Sequence, residues 1–187
     1  SLVFRGMAVL ISCGFLIPVR MAEFSWIGRG RVGMVNIAVI ILGVFVAAMM
    51  VLLNRTTFGR YVYAIGGNEE AAVLSGVRIN AVKIGTFALT GFAAGLAAVI
   101  ATSRISMGQP QAGAGMELEA IAAVILGGTS IYGGQGAVWR SIAGVLLLSL
   151  IGNAFNILNV NPFFKDLTTG LIIVVAVALS AIGKGRR

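Results

Sequence analysis

The chain has 187 residues, 58% hydrophobic and 11% charged, with a net charge of +8. A soluble domain carries about 25% charged residues, so this chain has too few to coat a globule, and its composition suits a surface that faces lipid. There is no histidine and a single cysteine, Cys13, which rules out an internal disulfide and argues against a zinc site or a histidine-based acid–base site.

The expected elements are apolar runs measured against the ~20 residues that cross ~30 Å of hydrocarbon. Leu2 to Val19 is the first, interrupted by Arg5 and ended by Pro18. Ser1 stands next to this run without a charged leader region, so the chain reads as the later part of a longer protein. Arg20 to Val32 is polar and basic, with Phe24 and Trp26 as interface anchors. Gly33 to Leu53 is the second span. A polar stretch, 54–80, follows, and Ala81 to Thr102 is the third span. That span carries Gly91 and Gly95, extended by Ala94 and Ala98, and this spacing predicts close packing of another helix.

Glu117 to Ile131 is a short fourth segment, about 22 Å as helix. It runs into ILGGTSIYGGQG, where Thr129 and Ser130 sit among paired glycines. Two readings stand: a broken helix bordering a transport route, or a short tilted helix with a glycine-rich turn. Ala137 to Leu158 is the fifth span. On it Ser149, Gly152, Asn153 and Asn156 share one helical face. The polar members either line a route or hydrogen-bond neighbouring helices. Asp166 to Ile182 is the sixth span, followed by the tail GKGRR.

The fourteen Lys and Arg residues stand singly or in small groups between these runs, as topology signals rather than as a nucleic-acid surface. If the fourth segment crosses, Arg55, Arg60, Arg78, Lys83, Arg140 and the tail fall on one side, read as cytoplasmic. Arg20, Arg29, Arg31, Arg104 and Lys165 then lie outside. The expected fold is an all-α polytopic transmembrane bundle with about six spans, one of them short or broken. It forms a single domain over 1–187 with a cytoplasmic loop at 54–80.

That loop holds GGNEEAAVLSG, with two of the six carboxylates of the chain side by side. Asn68 is a good N-cap, Glu69 and Glu70 suit the positive end of a helix dipole, and Gly76 is a natural stop. A helix of two turns is specified, too short to persist alone in water, so it has to dock. Ala71 and Ala72 are the small residues expected on its exposed side.

The run Glu70-Ala71-Ala72, followed by Gly76, resembles the cytoplasmic loop motif of permease subunits in bacterial ATP-binding-cassette importers. NRTTFGRYVYAIGGNEEAAVLSGVRIN, GQPQAGAGMELEAIAAVILGGTSIYGGQGAVW and the closing helices resemble the ribose, xylose and galactose permeases in particular. The resemblance runs from about Val35 to the end and covers the C-terminal half of such a permease. It implies a bacterial inner-membrane subunit, not an enzyme, that forms a monosaccharide path without a cofactor of its own. The implied partners are an ATPase subunit, a periplasmic sugar-binding protein and a second permease subunit, with lipid around them and no nucleic acid. It also implies that Asn68, Glu69, Glu70, Ala71, Ala72 and Gly76 form a coupling helix that meets the ATPase.

The sequence agrees with that division of labour. No phosphate-binding G-x-x-x-x-G-K-[ST] loop occurs. The alternative is an ion-coupled carrier or channel, for which Glu119 would be the sensitive carboxylate. Glu117 and Glu119 open the fourth segment, where they cap a helix or meet a partner.

Overall fold

The computed structural model describes residues 2–19, 21–130 and 133–161, with positions 164, 167, 168, 170–172 and 174 beyond them. The expected sixth span and the basic tail lie largely or wholly outside the described residues, as do Arg20 and Lys165. The described fold is helical with two minimal two-stranded pairings. Ile37–Arg55, Ile79–Ile105 and Val138–Ile157 are the three helices among the described residues that are long and apolar enough to cross a membrane. They match the second, third and fifth expected spans. The chain divides into two compact units, Ser1–Met49 with Asn80–Ala114, and Met50–Ile79 with Gly115–Arg187.

In the first unit, α1 (Leu2–Ser12) covers only 11 residues, about 16 Å at 1.5 Å per residue. The expected span to Val19 is therefore not a continuous helix. Cys13 and Gly14 take left-handed conformations, with φ of 49° and 77°. The Cys13 and Gly14 amides donate back to Leu10 and Val9 at 3.3 and 3.1 Å, which closes the helix in a Schellman turn. The apolar residues that follow form β1 (Ile17–Pro18), antiparallel to β4 (Met107–Gly108).

The basic segment after it is a helix, α2 (Ala22–Arg29), followed by a hairpin of β2 (Arg31–Val32) and β3 (Val35–Asn36). Asn36 then opens α3 (Ile37–Arg55). Its side-chain oxygen accepts from Ala38 N at 2.8 Å, and its amide donates to Gly28 O at 3.3 Å. The long α6 (Ile79–Ile105) completes the unit. Phe45 of α3 and Phe92 of α6 meet with ring centroids 6.5 Å apart.

Ser103 fastens α2 to the last turns of α6. It is fully buried, accepts from Gly28 N at 2.8 Å and donates to Phe24 O. A hydroxyl that both gives and accepts leaves no unpaired polar group in that contact. The glycines of α6 behave otherwise. A methyl at Gly91 or Gly95 would have nothing within 4 Å, so the expected close packing on that face is not supplied by the described residues.

In the second unit the polar stretch is almost entirely helical. α4 (Thr57–Gly67) precedes α5 (Glu69–Leu74), and only the second is expected from the sequence. The signal for α4 was Thr56, whose hydroxyl accepts from Gly59 N at 3.3 Å. The apolar spacing of Val62, Tyr63 and Ile65 added to it, and all three are half-buried. Gly59 is required where α3 bends into α4, because a Cβ there would collide with the Leu53 carbonyl.

α7 (Met116–Leu126) and α8 (Val138–Ile157) form an antiparallel pair. Ala122 and Ala123 are buried, and so is Gly144. A methyl on Gly144 would strike the Ala123 carbonyl, and one on Gly127 would strike the Arg140 carbonyl. The two backbones thus touch along one seam of small residues. α7, at 11 residues, is shorter than the segment expected to Ile131. Gly128, with φ of 84°, closes it in a second Schellman turn, with Thr129 N to Val124 O at 3.1 Å and Gly128 N to Ile125 O at 2.8 Å.

Candidate functional site

α5 is built from its caps inward. The Asn68 side chain accepts from Ala71 N at 3.0 Å, and the Asn68 carbonyl accepts from Ala72 N at 3.1 Å. Glu69 and Glu70 occupy the first turn, where the free amides favour negative charge. At the other end Gly76 has φ of 79°. Its amide donates to Val73 O at 2.9 Å and that of Val77 to Ala72 O at 3.1 Å, the two bonds of a Schellman turn. Both ends of this six-residue helix are closed by the residues expected to close it. Asn68 also ends α4, donating its own amide to Ala64 O at 3.0 Å.

One expectation about its faces is corrected. Ala72 is only 4% exposed and faces the protein, not solvent. At 100° per residue, Glu70 and Leu74 then lie on the side opposite Ala72. Leu74 is 90% exposed, and Glu70, Ala71 and Val73 are exposed beside it. The outward surface is therefore a carboxylate next to an apolar side chain, one turn apart. Sequence reasoning passed over Leu74 because a two-turn helix gives no periodicity to say which side is in.

α4 is held against the connection between α7 and α8. A Cβ on Gly66 would lie 2.6 Å from Gly134 N, and one on Gly134 would lie 2.8 Å from Gly67 Cα. The two Gly-Gly pairs thus cross backbone on backbone, which only glycine permits. Beside them Tyr63 OH donates to Gly136 O at 3.0 Å. This joins the polar stretch to the α7–α8 pair within one compact unit.

The structure does not gather the five residues expected on a translocation path. Thr129 and Ser130 are half-buried in the α7–α8 connection. The Thr129 hydroxyl lies 3.4 Å from that of Ser141, in the first turn of α8. Ser149, Asn153 and Asn156 stand further along α8. Asn153 is 12 residues beyond Ser141, about 18 Å along the axis. All three are exposed, and their side chains make no hydrogen bond among the described residues. They form one polar stripe, and Thr129 and Ser130 belong with the connection next to α4.

Residues 3–177 match the family described as branched-chain amino acid transport system / permease component. The chain is 39% identical over 177 residues to the ribose import permease protein RbsC of Haemophilus influenzae, covering 92% of this chain and 55% of that protein. It is 40% identical over 179 residues to RbsC of Bacillus subtilis, 95% of this chain and 56% of that one. The L-arabinose transport system permease protein AraH of Escherichia coli is also 40% identical over 179 residues, 92% of this chain and 53% of the relative. The chain thus spans about half the length of these curated relatives. No solved structure matches it. The family match covers nearly the whole chain and three of its described helices are long and apolar enough to cross a membrane, so the chain belongs to the family of branched-chain amino acid transport system permease components.

Proposed function

We propose that the chain is part of the permease subunit of an ATP-binding-cassette importer in a bacterial inner membrane, and that its cargo is a monosaccharide. The relatives named above carry ribose and arabinose in their names, which favours a small sugar over an amino acid. A separate ATPase drives the cycle, a binding protein delivers the sugar, and a second permease subunit completes the path. Ser149, Asn153 and Asn156 offer the sugar hydroxyls hydrogen-bonding groups on one face of α8.

The observation that carries this reading is α5. It is closed at both ends, too short to stand by itself, and presents Glu70 and Leu74 outward. Its neighbour α4 is clasped to the α7–α8 connection. A rigid element with an outward face and a backbone clasp behind it is suited to receive an ATPase and pass its closure to membrane helices.

Leu74 provides the test. Burying a leucine in a partner's groove contributes about 1.5–3 kcal/mol. In the full-length protein, Leu74→Asp is expected to lose the co-purifying ATPase while the permease still accumulates in the membrane. Unchanged co-purification and sugar uptake would remove α5 from that role. Ala72→Arg is unsuitable, because it would disrupt the chain's own packing at a buried position.

A further inference from the structure

The basic end of the first unit is not used by the proposed transport reading. α2 lies against the end of α6 through Ser103, and Ser25 Oγ is 3.1 Å from Ser106 Oγ. Arg29 Nε donates to the Arg104 carbonyl at 2.8 Å. Past α2, Ile37 N donates to Gly30 O at 3.0 Å, so the first residue of α3 is tied to the same place. α6 has 27 residues, about 40 Å of helix, some 10 Å more than the hydrocarbon core. With α3 and α6 read as spans, α2 and the β2–β3 hairpin sit where both spans leave the hydrocarbon, at the level of the headgroups.

The surface offered there mixes two chemistries. Arg29, Arg31 and Arg104 are exposed, with Glu23 the one acid on α2. The side chains of Arg31 and Arg104 make no hydrogen bond or ion pair among the described residues. Between these cations stand apolar groups. Trp26 is 60% exposed, and Met34, in the hairpin loop, is fully exposed with Val32 next to it. Tryptophan prefers the membrane–water boundary, and an uncovered methionine has no reason to face water there. A guanidinium matches a phosphate with paired N–H donors and keeps its charge at any working pH.

From this juxtaposition we infer that α2, the hairpin tip and Arg104 form a binding surface for the headgroup of an anionic phospholipid. The arginines hold the phosphate, and Trp26 and Met34 enter the adjoining acyl region. The position of this surface at the level of the headgroups favours a lipid over an acidic protein surface, which would leave the two lipids of the test below equally retained. The inference rests on reading α3 and α6 as spans and is independent of what is transported.

The test uses full-length protein in phosphatidylcholine nanodiscs with and without phosphatidylglycerol, with retained lipid counted by native mass spectrometry and affinity read by titration. Wild type is expected to retain phosphatidylglycerol over phosphatidylcholine. A basic residue near an anionic surface contributes about 1 kcal/mol, so the double substitution Arg31→Gln with Arg104→Gln is expected to bind roughly thirty-fold more weakly. The corresponding Lys pair keeps the charge but not the paired donors, and its affinity should fall between those of wild type and the Gln pair. Equal retention of the two lipids by wild type, or unchanged phosphatidylglycerol affinity in the Gln pair, overturns the inference. Should the pair not fold, Arg31→Gln alone is read instead: a loss of about fivefold supports the site and no loss overturns it.

Discussion

Two sets of small residues on apolar helices have opposite fates. On α6, Gly91 and Gly95 carry the spacing most often associated with helix packing, yet a methyl added to either would meet nothing. On α8, Gly144 lies against the Ala123 carbonyl, and Gly127 at the end of α7 lies against that of Arg140. The seam that closes lies between two antiparallel helices whose connection is folded back by tight turns of its own at Gly128 and Gly133. Small residues permit close approach, but a partner held nearby by the chain decides whether it happens.

The sharpest way to break the comparison is Gly144→Leu. The contacted atoms are backbone and cannot rotate away, so a loss of about 3 kcal/mol or more is expected, read as a collapse of thermal stability in detergent. Tolerance of leucine at 144 would mean that the seam does not hold the two helices together. A smaller effect is expected from Gly66→Ala, where the new methyl would press on the Gly134 amide. The clash costs about 1–3 kcal/mol, and helix propensity returns about 1 kcal/mol. The net loss should show as a lower unfolding temperature and, if the proposed importer forms, as sugar uptake that falls more than ATPase co-purification. The smallest effect is at Gly91, which has open space. Gly91→Ala should stabilise α6 by about 1 kcal/mol. A clear destabilisation there in the full-length protein would show that another helix covers this face.

The long spans were legible because apolar length alone selects them. α3, α6 and α8 fall within a few residues of the runs that define them. The caps of α5 were legible too, since Asn68 and Gly76 act through local backbone geometry that their own chemistry dictates. What escaped depends on contacts distant in sequence. Which side of α5 faces in is set by its surroundings, so Ala72 was placed outward and Leu74 overlooked. The stop of α1 at Cys13 uses a left-handed non-glycine residue, which intrinsic preference disfavours. The Ile17–Pro18 strand has meaning only once Met107–Gly108 is beside it. The polar residues on and before α8 stand out by type alone. Their division into an exposed stripe on α8 and a half-buried pair in the α7–α8 connection needed the fold.

Asn68 stands between α4 and α5 with no other residue to share the junction. Its amide closes one helix while its carbonyl and side-chain oxygen start the next. A joint of one residue has two torsions, and these bonds hold both, at φ of −156° and ψ of 108°. Under the proposed function the two helices would act as one bent lever. In the proposed coupling role, a displacement at Leu74 would reach Gly66 through this joint, and loosening Asn68 would introduce backlash before it weakened any grip.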